Sequence, residues 1–256
     1  MTKVLAVDGD TLAYRTAAVC NDMWEGSCRA ILDSTLKTIS TETGIHHMRI
    51  YLSGEGNFRY KVATTKPYKG NREGMVHPTF LQYCKDYLVE QYGAIRVHGY
   101  EADDAIATDM VENGAVHCGV DKDIFQIAGD HYNYTKEEMS DRWVTITEED
   151  AIIRLYRQVL CGDNSDNIPG LPRVGVKTAE AVIVNAETAL SDALAYYEEV
   201  CRIKLPQVNP TVYFIEQSDL ITMRTNVPLY CIDFDVSTYI EPETEGFSVQ
   251  EGDFNG

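Results

Sequence analysis

The sequence predicts an α/β fold: a mainly parallel central sheet flanked by helices, continued by a helical C-terminal part. Three observations predict it. Short apolar runs ending in Gly, Asp or Ser alternate with longer windows of helical periodicity. At 256 residues and 44% hydrophobic content, the chain suits one large α/β domain, or a domain with a small appendage. After residue 161 the alternation gives way to turns and short helices, with prolines at 169, 172, 206, 210 and 228.

Taken in order, "KVLAVDGD" is a first strand; one lysine before four apolar residues is too short for a signal peptide. "MRIYLSG", "AIRVHGY" and "AVHCGVDKD" are the next three strands. Helical windows fall at about residues 27–42, 78–92 and 103–113. "HYNYT" and "RWVTIT" read as a β-ribbon. Thr147 opens a helix as N-cap, with acids in the first turn of "TEEDAIIRLYRQVL". This divides the chain into an α/β body at 1–150, a helical part at 151–230 and an acidic, loosely held tail at 231–256. No apolar run approaches the ~18 residues of a membrane span. Seven scattered cysteines, odd in number and without a CxxC pair, argue against zinc or a disulfide framework and for a reducing cytoplasm.

The net charge of −18 argues, taken whole, against a nucleic-acid partner. The distribution argues otherwise. From Tyr230 to Gly256 there are seven acids and no Lys or Arg, whereas Arg59 to Arg72, "RYKVATTKPYKGNR", holds five bases and no acid. Binding follows local potential, so that strip can hold phosphates while the molecule stays acidic.

Acids recur at the predicted strand ends: Asp8, then Glu101, Asp103 and Asp104 in "GYEADDAIA", then Asp121 and Asp123 in "GVDKDIF"; Asp163 and Asp166 complete the set. Strand carboxyl ends of a parallel sheet converge on one edge. Clustered carboxylates repel, and divalent cations neutralise them; oxygen donors suit magnesium or manganese. Two such ions about 4 Å apart form the clamp used in phosphodiester cleavage. Taken singly, "EADD" is an ordinary helix cap and "DGD" or "DKD" an ordinary turn; the joint placement carries the weight. In "GLPRVGVKTAEAVI", Gly170 and Gly175 flank a tight hairpin, and Lys177 and Thr178 begin a helix whose N–H groups favour phosphate. "PYKGNR" adds Tyr68, Lys69 and Arg72, an aromatic face beside cations.

These pieces together resemble the 5′ nuclease family: flap endonucleases, the 5′-nuclease domain of bacterial DNA polymerase I, and small bacteriophage replication exonucleases. The matching motifs, in order, are "VDGD", "NFR" with Arg59, "YKGNR", "GYEADDAIA", "GVDKDIFQI", "GDNSDNIPGLPRVGVKTA" and "MRTNVPL", spanning about residues 4–228. The resemblance implies a PIN-like body with a short helical arch at about 67–92 and a helix–hairpin–helix element. It implies a divalent-metal-dependent 5′→3′ exonuclease on duplex DNA with 5′ ends or flaps, with flap endonuclease activity and removal of RNA from RNA–DNA hybrids, acting in DNA replication or degradation. It assigns Asp8, Glu101, Asp103 and Asp121 to one Mg2+ (or Mn2+), and Asp123, Asp163 and Asp166 to a second, with Asp104 close by. Lys69 and Arg72 contact the scissile phosphate, and Tyr68 stacks on a base. Arg59, Gly170, Arg173, Gly175, Lys177 and Thr178 contact DNA, with a K+ at the hairpin carbonyls. It also implies a monomer without a membrane, meeting replication proteins in the cytoplasm (of a bacterial host, for a bacteriophage protein). One departure stands out. Family members carry an aspartate shortly before the "FR" pair; here "YLSGEGNFR" has Ser53 and Gly54, with Glu55 or a water as the substitute. Two other readings are a catalytically weakened DNA-junction binder of the same fold and a metal-dependent endoribonuclease. A calcium-binding acidic module would leave the basic strip without a use.

Overall fold

Four of the short apolar runs become parallel strands. The computed structural model describes residues 3–229 and the backbone of the strand Phe234–Asp235. Strand β1 (Val4–Asp8) is followed by α1 (Gly9–Val19) and α2 (Glu25–Thr43), then by β2 (His47–Ser53) and the single turn α3 (Arg59–Val62). Next come α4 (Leu81–Tyr92), β3 (Ile95–Val97), α5 (Ala102–Asn113), β4 (Val116–Cys118), β5 (Gly129–Tyr132) and β6 (Trp143–Ile146). Helices α6 (Glu148–Cys161), α7 (Val176–Val182), α8 (Ala189–Lys204) and α9 (Pro210–Ile221) precede β7 (Phe234–Asp235).

The sheet runs β3–β2–β1–β4–β5–β6, with β7 paired to β2. Neighbours are parallel from β3 to β5; β6 and β7 pair antiparallel. Strand order reverses between β1 and β4, the position where ligands bind in such sheets. Leu5, Ala6 and Val7 are fully buried, as expected for a strand covered on both faces. Leu5 and Val7 pack with Leu12, Leu32, Leu36, Ile39 and Leu88 from α1, α2 and α4. Ala6 and Tyr51 pack on the opposite face with Ile106 and Met110 of α5. A separate cluster unites α6, α7, α8 and α9 around Tyr197, whose hydroxyl donates to Val159 O at 2.7 Å.

Helix α1 is not among the helical windows that the sequence predicts. Its first residues, Gly9 and Asp10, look like a turn after a strand; what makes them helical is Asp8, whose carboxylate caps Thr11 N at 3.0 Å. The Thr147 cap is present, accepting from Asp150 N at 3.1 Å. In the segment 67–92 only α4 and a 3₁₀ turn at Gly70–Arg72 are helical. The acidic tail at 231–256 lies outside the described residues, apart from β7.

Between α6 and α7 the chain doubles back tightly. Gly162 (φ 71°) and Gly170 (φ 56°) face each other backbone to backbone. A Cβ on Gly162 would meet Ile168 O at 2.3 Å, and one on Gly170 would meet Gly162 N at 2.3 Å. Only glycine fits both the space and the left-handed backbone.

Candidate active site

The carboxyl ends of β1, β2, β3 and β4 open into a cleft of about 580 Å³. Asp8, Glu101, Asp103, Asp121, Asp123, Asp163 and Asp166 line it, together with Lys69 and Arg72. Asp8 ends β1; Glu101 caps α5 and Asp103 stands in its first turn. Asp121 follows β4, and its Oδ1 accepts from Asp123 N at 2.9 Å, a local turn that orients both acids. Asp163 accepts from Ser165 N at 2.7 Å in the turn after α6.

The acids fall into two electrostatic groups. Asp8, Asp103 and Asp121 form no ion pair among the described residues. Burial raises Asp8 to about 6, with the charges of Asp10 and Asp121 adding to it against the Thr11 hydrogen bonds. Asp103 is held well above the carboxylate range, by burial first and then by Asp8, Asp121, Glu101 and Asp104. Burial, then Asp121 and Asp163, raise Asp123 to about 7, against a 2.8 Å hydrogen bond from Gln158. Glu101 and Asp166 are by contrast saturated. Lys69 Nζ lies 2.5 Å from Glu101 and 3.7 Å from Asp166, and Arg72 lies 2.5 Å from Asp166. Burial disfavours the Lys69 ammonium, but Glu101 and Asp166 outweigh it and hold the pKa above the usual lysine value. Lys69 itself has φ 54°, a left-handed conformation that costs a non-glycine residue on the order of 1 kcal/mol. The bond from its N–H to Asp166 O at 2.8 Å holds it there.

Four of the expected site residues are engaged with protein groups rather than left free as the resemblance implies, although Arg59 and Tyr68 still line the cleft. Asp104 is fully buried and does not line the cleft; it takes two hydrogen bonds from Arg59, at 2.6 and 2.8 Å, and one from Arg224 N. It is a structural partner, because α5 turns this side chain inward while Asp103 points to the cleft. Arg59 is correspondingly 3% exposed, with its Nε donating to Leu220 O. Tyr68 is 3% exposed, and its hydroxyl donates to Glu101 and Asp166 at 2.9 and 2.6 Å; no ring face is open to a base. Gly170 N donates to Gln217 and its carbonyl accepts from the Tyr213 hydroxyl, so its N–H is not free for a phosphate. In the same hairpin Arg173, Gly175 and Lys177 are exposed and Thr178 is half-buried, but the Thr178 and Ala179 N–H groups fold back onto Gly175 O.

Tyr60, Asp10 and Lys85, which the sequence does not single out, also line the cleft. Tyr60, directly after the "FR" pair, is 60% exposed and packs edge-on against Tyr68 at 5.4 Å. Asp10 and Lys85 face the same space and pair at 2.5 Å. Asp10 was visible in "VDGD"; a single lysine in a helical window carries no signal.

Among the described residues no three His, Cys, Asp or Glu side chains stand close enough together to enclose a metal ion. The donor chemistry still fits a divalent cation. It is all oxygen, and the mutual repulsion of Asp8, Asp103 and Asp121 is left uncompensated by any paired lysine or arginine.

A doubly covered parallel sheet whose switch point gathers carboxylates, with Lys69 and Arg72 lining the same cleft, is the arrangement of an acidic-site nuclease. The comparisons agree. The chain is 30% identical over 201 residues to a 5′-3′ exonuclease of Buchnera aphidicola, covering 69% of this chain and 68% of that protein. It is 28% identical over 261 aligned positions to DNA polymerase I of Bacillus subtilis, spanning 89% of this chain but only 28% of that polymerase. It is 27% identical to the flap endonuclease Xni of Pseudoalteromonas translucida, over 81% of this chain and 84% of Xni. The T5 D15 protein co-crystallised with metal ions shares the fold, with a TM-score of 0.66 and 17% identity over 87% of this chain and 90% of that one. The catalytic core of Rad2 with a DNA substrate gives a TM-score of 0.51 at 14% identity over 84% of this chain and 71% of that one. No protein-family model matches. The chain belongs to the 5′ nuclease family that includes the Buchnera 5′-3′ exonuclease.

Proposed function

We propose that this protein is a divalent-metal-dependent 5′→3′ exonuclease on duplex DNA that also cuts 5′ flaps. One observation carries the reading: Asp8, Asp103 and Asp121 line the cleft at the sheet's switch point with no cation paired to them among the described residues, and Lys69 and Arg72 line the same cleft. Asp8, Glu101, Asp103 and Asp121 would hold one cation, and Asp123, Asp163 and Asp166 the second. Bound there, magnesium or manganese would supply charge neutralisation and a water activated for phosphodiester hydrolysis. The protein supplies the rest. Lys69 and Arg72, released from Glu101 and Asp166, donate to the non-bridging oxygens where negative charge develops. Tyr60, with its exposed ring, takes the base-stacking part that buried Tyr68 cannot. Arg173 and Lys177 grip the backbone of the duplex beside the cut. In this reading residues 1–150 are the nuclease body and 151–230 the duplex grip.

Magnesium is the proposed native ion. A K+ at the hairpin has a competitor, since Lys204 Nζ already donates to Pro172 O at 3.1 Å. RNA–DNA hybrids are a proposed second substrate, and replication proteins in the cytoplasm the proposed company. Among the described residues no helix is long and apolar enough to cross a membrane. The test is incubation with 5′-labelled duplex and 5′-flap substrates, with magnesium and then with EDTA. Magnesium-dependent release of 5′ nucleotides supports the reading. Tight binding without cleavage would make the chain a junction binder instead.

A further inference from the structure

Ser53 stands near the place where the resemblance leads one to look for an acid, and the fold does not let its neighbours supply one. Ser53 Oγ accepts from Ala102 N at 3.0 Å and is thereby committed to the start of α5. Gly54 has no room for any side chain: a Cβ there would meet Val97 O at 2.7 Å. Glu55 is exposed and does not line the cleft, which removes it as the substitute.

A different carboxylate sits against this spot. Asp10, in the first turn of α1, reaches across to the end of β2, where its Oδ2 accepts from Ser53 N at 2.8 Å. Its other oxygen, Oδ1, holds Lys85 Nζ at 2.5 Å. Both side chains line the cleft with Asp8 and Asp103 and stay partly open to solvent, Lys85 at 20% and Asp10 at 27%. We propose that Asp10 is the relocated acid of the first cation site, an outer carboxylate that orders the cation's water shell from the position Ser53 leaves without charge. Lys85 is its counterion when no divalent cation is bound. Asp10 is then a positioning residue, and the proposal rests on the metal-centre reading above. The plain alternative is that Asp10 favours the α1 dipole and anchors Lys85.

The test reads metal affinity, not turnover: Mn2+ binding by electron paramagnetic resonance, on the full chain without DNA. Asp10→Asn keeps the acceptor for Ser53 N and removes only charge. It is expected to weaken Mn2+ binding about 10- to 100-fold, the range for outer-shell partners of a metal site. Adding Ser53→Asp to that variant is expected to restore affinity to within about threefold, because a carboxylate at 53 can also accept from Ala102 N. Lys85→Met, made separately, is expected to tighten Mn2+ binding several-fold. Asp10→Asn binding Mn2+ as wild type does, Ser53→Asp failing to rescue in a double variant with wild-type circular dichroism, or Lys85→Met leaving affinity unchanged would each overturn the proposal. Asp121→Asn is the control for the site itself. If it weakens Mn2+ binding while Asp10→Asn does not, only the role of Asp10 falls; if neither does, the metal-centre reading falls with it.

Discussion

Replacing Asp104 by alanine tests whether this acid serves the metal or the fold. Arg59 is 3% exposed, and two of its hydrogen bonds, at 2.6 and 2.8 Å, go to Asp104; its others reach the Leu220 and Thr222 carbonyls at 2.9 and 3.2 Å. Glu101 lies 3.4 Å away and is already held by Lys69. Asp104→Ala therefore leaves a buried guanidinium without its carboxylate, which costs about 3–5 kcal/mol. The variant also strips the acceptor from Glu101 N and Arg224 N. Against a total stability of about 5–15 kcal/mol this is severe. At roughly 2–4 °C per kcal/mol for a chain near this size, the melting temperature should fall by about 6–20 °C. The assay is calorimetry with EDTA present, so that no metal contributes. The double variant Asp104→Ala with Arg59→Met should recover much of the loss, since a pair replaced by apolar groups leaves no charge stranded. A melting temperature unchanged within 2 °C, joined to a large loss of Mn2+ affinity, would return Asp104 to the metal site and refute the structural assignment.

Three further outcomes are expected. Lys69→Ala should slow single-turnover cleavage about a hundredfold while the DNA dissociation constant moves only a few-fold, and Lys69→Arg should rescue little; equal losses in both would reduce Lys69 to a grip residue. Lys177→Ala should lower the salt dependence of duplex binding by about one phosphate contact, read from the slope of log K against log salt; an unchanged slope would remove α7 from the interface. Asp8 at about 6 and Asp123 at about 7 hold protons more tightly in the folded protein than in the unfolded chain. Their stabilisation is therefore complete below the ordinary carboxylate range and is lost as pH rises through 6 to 7. Metal must displace those protons, so Mn2+ affinity should rise between pH 5.5 and about 7.5 with proton release seen by titration calorimetry in two buffers, and a flat profile would contradict the assignment.

What the sequence by itself determined is set by local rules. Short apolar runs located β1 to β4; the Thr147 cap located α6; strand-end logic assembled Asp8, Glu101, Asp103 and Asp121 from three separate motifs. Such signals lie within a few residues of one another, or follow from the convergence of parallel strand ends. Tertiary structure decided which way each side chain turned. Asp103 and Asp104 are adjacent letters, yet successive helical positions lie about 100° apart, so one meets the cleft and the other meets Arg59. Tyr68 and Tyr60 are both aromatics in one basic strip, but the left-handed turn at Lys69 and the α8–α9 core bury the first and leave the second exposed. Asp10 reads as a turn acid until β1 and β2 pair in register. That pairing brings Asp8 opposite Tyr51 and so sets the start of α1 against Ser53. The pairing spans forty-three residues of chain, a separation that no local pattern encodes, and only the folded sheet closes it.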